Sequence, residues 1–206
     1  MDFQILISFI LATAVLAFSP GPDNLFVLVQ SATHGKKTGM AVVLGLMTGC
    51  LIHTSLVAFG LSAFIQSNES LYFILKLFGA AYMLFLAIRV YKSHLNFNKD
   101  HKKVKSDGFY ELFRQGFIMN VLNAKVSVFF LAFFPAFLFS ETMALYKQFY
   151  VLGFLFILTS FSVFICYVFL SSYFSKLFLK SPQRQLLLKR LQIGVFIGIA
   201  VVILRG

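Results

Sequence analysis

Two charged residues stand where this chain is otherwise apolar. Asp23 falls in the run Phe3–Ala32 and Lys125 in the run Phe113–Phe139. An ionisable group deep in hydrocarbon costs about 2.5–3.5 kcal/mol on insertion scales, so each is by default a functional residue. Their signs are opposite, which complements the two ends of a zwitterion. An α-amino acid could offer its ammonium to Asp23 and its carboxylate to Lys125. Without a ligand the two side chains could instead pair with each other, which lowers the cost of burying both.

Each charge sits beside a sequence that interrupts a helix. In "FSPGPDNLF", Phe18–Phe26, both Ser19 and Gly21 precede a proline, which disfavours helical geometry at each. Pro20 and Pro22 have no N–H, so the carbonyls of Leu16 and Phe18 lose their helical partners. At membrane depth, unpaired carbonyls are tolerated only where they face protein or a watery cavity. Pro22 suits the first position of a second helix, whose free N–H groups and positive dipole end point into the same space. The other interruption is "NVLNAKVSVFF", Asn120–Phe130, with Asn123 and Lys125. Asn24 and Asn123 are 99 residues apart, close to half of the 206-residue chain. Interrupted helices at corresponding positions in two halves are the best sequence pointer to a transporter's midplane site. The expected substrate-binding residues are therefore Asp23, Asn24, Asn123 and Lys125, with Ser19, Pro20, Gly21 and Pro22 forming the break.

The elements that must position these residues follow from composition. Hydrophobic residues make up 59% of the chain and charged ones 12%, with 28 phenylalanines, more apolar surface than one soluble core of this size can hide. Six apolar runs, Phe3–Ala32, Met40–Ile65, Leu71–Val90, Phe113–Phe139, Phe149–Phe169 and Leu187–Leu204, are each long enough to cross about 30 Å of hydrocarbon. Nothing alternates like a barrel strand. The predicted fold is an all-α integral membrane protein of six transmembrane helices, the first and fourth interrupted.

The polar stretch 96–108 divides this single membrane domain into halves, 1–95 and 109–206. Three spans in each half make the second an inverted repeat of the first. Fourteen lysines and arginines lie in the odd-numbered loops or at the run ends beside them, Arg89, Arg114, Lys189 and Arg190 among the latter, against three on the opposite side. That asymmetry predicts both termini outside and the odd loops, including the 96–108 linker, in the cytoplasm. The first run reads as a membrane span and not as a signal peptide, because "MDFQ" before it is acidic.

Other features carry less. The net charge of +11 forms no stripe on a folded face, so nucleic acid is not an expected partner. Cys50 and Cys166 have no metal spacing and read as packing residues; no metal or cofactor is expected. His53 could relay protons with Asp23 or be hydrogen-bonded structure, and the sequence leaves both open. Gly45 and Gly49, like Gly194 and Gly198, have the spacing of close helix contacts. Packing within one subunit is the simpler reading, with a homodimer left open.

Several stretches resemble the LysE/RhtB family of amino-acid exporters. "SPGPDN" is similar to the family's most specific motif, and "GLMTGCLIH", "KLFGAAYMLFLAIRVYKS" and "GFIMNVLNAKVSVFFLAFFPAF" resemble its second, third and fourth helices. The resemblance implies a secondary transporter of the bacterial inner membrane, not an enzyme. It would export a small zwitterionic amino acid or close derivative, driven by protons. A passive channel or a non-transporting membrane subunit is the alternative. One position departs from the family pattern: Ala124 stands where the family has proline, which predicts a shallower second break.

Overall fold

The computed structural model describes residues 2–19, 21–61, 69–92, 108–174 and 182–205. No strand occurs among them. Helix α1 (Phe3–Phe18) starts at Asp2, whose carboxylate accepts from the N–H groups of Gln4 and Ile5. Helix α2 (Pro22–His34) follows after a break, and Gly35, with φ of 94°, turns the chain into α3 (Lys36–Ser55). A π-helical segment, Leu56–Leu61, continues α3. Then come α4 (Glu69–Lys92) and α5 (Phe109–Val121). After a second break, α6 (Ala124–Val128) runs on through the π-helical Phe129–Phe133 and the 3-10 turn Phe134–Phe137. Helices α7 (Leu145–Phe169), α8 (Ser171–Phe174) and α9 (Pro182–Arg205) complete the chain.

Three of these elements, Lys36–Gly60, Phe73–Lys92 and Leu145–Phe169, are long and apolar enough to cross a membrane. The bent pairs α1–α2 and α5–α6 bring the number to five if each pair is one span. The sixth apolar run lies on α9. Pro20 and most of the predicted linker, residues 96–107, lie outside the described residues.

The bundle buries one apolar core and leaves large apolar side chains on its outside. Phe3, Phe59, Phe78 and Phe154 are each more than 60% exposed, the reverse of a water-soluble surface and what lipid requires. Inside, Phe129 stacks on Phe133 at 4.3 Å and Phe130 on Phe134 at 4.2 Å, with Phe9 edge-on to Phe134. Rings spaced four apart meet because they lie on one helical face.

The two glycine pairs part company. A Cβ on Gly45 would overlap the Phe113 carbonyl, and one on Gly49 would lie 2.6 Å from Asn120 Oδ1, so both exist for the α3–α5 contact. At Gly194 and Gly198 a Cβ would meet no described atom within 4 Å, which corrects the expectation of packing within one subunit there. Cys50 is buried, as a packing residue should be, whereas Cys166 is exposed.

Candidate functional site

The first break bends the chain by 62° between α1 and α2. The last turn of any helix leaves carbonyls without intrahelical partners, and here three side chains from other elements and one backbone N–H supply them. The Asn24 amide donates to Ala17 O at 2.6 Å, reaching back across the break from α2. The Tyr167 hydroxyl, on α7, donates to Phe18 O at 3.2 Å. The Lys125 ammonium, from α6, donates to Leu16 O at 3.4 Å and Ser19 O at 3.3 Å. The Ser19 N–H adds a bond to Leu16 O at 3.1 Å. Every carbonyl from Leu16 to Ser19 therefore has a donor. The ammonium lies beside Gly21, where a Cβ would sit 3.4 Å from Lys125 Nζ.

The second break bends by 47°, shallower than the first. It forms without proline. Asn123 is extended, at φ −76° and ψ 101°, and its Oδ1 accepts from Lys125 N at 3.0 Å, capping α6. Pro22 and Ala124 both open their helices, so Asp23 and Lys125 are each the second helical residue after a break. Measured from the breaks, Asn123 stands where Gly21 does, as the residue before the helix opens. Asp23 and Lys125 lie 102 residues apart and carry opposite charge.

These two charges do not pair with each other. Among the described residues the only ion pair within 4.0 Å joins Glu111 and Arg114 on the surface. Asp23 instead accepts from Asn123 Nδ2 at 2.6 Å through one oxygen, Oδ2. Its other oxygen, Oδ1, is buried and has no partner. The direct pairing open to the empty chain is not made, and the Lys125 ammonium lies instead against the carbonyls at the negative end of α1.

Asp23, Asn123 and Lys125 line a cavity of about 490 Å³, together with Pro22 and Ala124. Tyr82, Leu86, Arg89 and Val90 of α4 and Gln192 and Phe196 of α9 form another wall. Tyr82, Arg89 and Gln192 were not legible as site residues, although 82, 86, 89 and 90 have the spacing of one helix face. Asn24 and Ser19 are buried at the break without lining the cavity. His53 lies elsewhere: its Nε2 is 3.2 Å from Asn120 O, and its ring packs 5.4 Å from that of Phe130. It sits behind the second break, beside the contact between Asn120 and Cys50.

The "LysE type translocator" family model matches residues 14–206. The homoserine/homoserine lactone efflux protein of Salmonella typhimurium (strain LT2) is 30% identical over 74% of this chain and 73% of its own. A membrane protein of Vibrio cholerae serotype O1 is 26% identical over 74% of each chain. The membrane protein YrhP of Bacillus subtilis is 28% identical over 65% of this chain and 67% of its own. No solved structure matches. A membrane bundle with a polar cavity at two helix breaks is the architecture of a translocator, and the chain belongs to the LysE type translocator family. It is a membrane transporter and not an enzyme.

Proposed function

We propose that the chain is a secondary exporter of a homoserine-like amino acid or close derivative, coupled to protons, in the bacterial inner membrane. One observation carries the reading: Asp23 Oδ1 is buried at the cavity with no donor. A buried carboxylate oxygen without a partner is costly unless a ligand supplies one. The ammonium of an amino acid does so, and both substrates in the name of the Salmonella relative carry one. Asn123 orients the carboxylate, while Asn24 and Lys125 hold the open end of α1 in place. Asp23 is also the one acid in an apolar run, so it is the group that can carry a proton when no substrate is bound. His53, packed behind the second break, is the remaining relay residue.

Six spans in two inverted halves, 1–95 and 109–206 joined by 96–108, give this site its symmetry. Packing supports the arrangement: α4 lies on α9, α3 on α5, and α7 on α1 and α2. In this scheme α4 meets its counterpart α9, and the contact of α3 with α5 is answered by that of α7 with α1 and α2. Both termini lie outside in this scheme, by the charge asymmetry of the loops. The test is counterflow in proteoliposomes. Vesicles preloaded with unlabelled homoserine should accumulate labelled homoserine transiently, because exchange needs a bound and alternating site. Simple equilibration without overshoot would make the protein a channel, and no uptake a non-transporting subunit.

A further inference from the structure

The ammonium end of the ligand has a receptor in Asp23, but the carboxylate end needs a different one from Lys125. Two of the three Lys125 N–H groups go to Leu16 O and Ser19 O, and the ammonium is packed against Gly21. It serves as the cap of α1. The cavity contains one more cation, Arg89.

Arg89 lies in the last turn of α4 and forms no hydrogen bond or ion pair with a described residue. Its guanidinium carries five donors in a planar fork, which fits a carboxylate with two parallel bonds. It shares a helix face with Tyr82 and Leu86, and all three line the cavity. Gln192, on α9, adds an amide to the same wall. We infer that Arg89 is the specificity-determining residue that receives the carboxylate or carbonyl oxygen next to the substrate's ammonium, with Lys125 confined to holding the break. This deepens the amino-acid reading and rests on it. It also accommodates a lactone, whose ester carbonyl can accept from a guanidinium without carrying charge.

The test uses the full chain purified in detergent, titrated with L-homoserine and with L-homoserine amide. Arg89→Gln should weaken homoserine by about tenfold or more, the scale of a lost charge-assisted contact, and weaken the amide much less. Arg89→Lys, which keeps the charge but loses the fork, should fall between. Lys125→Met should weaken both ligands to the same degree. Melting temperatures of all variants show that each is folded. An unchanged homoserine-to-amide ratio in Arg89→Gln overturns the assignment, since an arginine that merely reaches for lipid headgroups would affect both ligands equally. A changed ratio in Lys125→Met alone would return the carboxylate to Lys125. If the unsubstituted chain binds neither ligand, the amino-acid reading fails together with this one.

Discussion

Asn123 performs two tasks with one amide: its nitrogen holds Asp23 and its oxygen caps α6. Asn123→Ala should remove both, lowering stability by about 1 kcal/mol for the lost cap and impairing transport. Asn123→Asp keeps an oxygen for the cap but replaces the donor to Asp23 with a second carboxylate. Its melting temperature should stay nearer the parent while homoserine transport falls. A matching loss of stability in both variants would mean that Asn123 matters only as a cap. Lys125→Met takes the donor from the Ser19 carbonyl and one of two from Leu16 O, and thermal melts should show a loss of about 1–3 kcal/mol. Residue types alone brought Asp23, Asn123 and Lys125 to attention, because charges and amides are rare in apolar runs. They did not show who partners whom. Lys125 looked like a mate for Asp23, and only the geometry of the α1 carbonyls reveals the stronger competitor.

Proline dictates the first break and a capping asparagine the second, so two bent helix pairs arise by different chemistry. Ala124 already occupies the first helical position, where an N–H has no intrahelical partner, and Asn123 before it is already extended. Ala124→Pro should therefore be accepted, with transport retained and a melting temperature equal to or above the parent. A collapse of either would mean that the Ala124 N–H is required. The α3–α5 contact tolerates no such change. Gly45→Ala puts a methyl group into the Phe113 carbonyl, and unfolding measurements should show a loss of about 1–3 kcal/mol as the helices part. The Gly45–Gly49 spacing announced this contact in the sequence. The same spacing at Gly194 and Gly198 meets open space, because a small-residue stripe permits close approach without creating a partner.

At the scale of the whole molecule, apolar length made the helices legible, and turn chemistry made the breaks legible. Which face of α4 or α9 looks inward was not, because lipid and protein core are both apolar and leave the same hydropathy. Arg89 accordingly read as a loop charge marking topology, although it lines the cavity. Topology remains testable: reporter fusions near His101 and Ser181 should read cytoplasmic and one after Arg205 external, and a cytoplasmic C-terminus would contradict the placement of both termini outside. The account depends most on Asp23 as the receptor for the substrate's ammonium. The direct measurement is the homoserine affinity of Asp23→Asn beside that of the parent chain, both full length in the same detergent. The carboxamide is nearly isosteric, so the melting temperature should hold while affinity drops by about 10- to 100-fold, the scale of a lost charge-assisted bond. Undiminished affinity in a folded Asp23→Asn protein would contradict the account and place the substrate elsewhere.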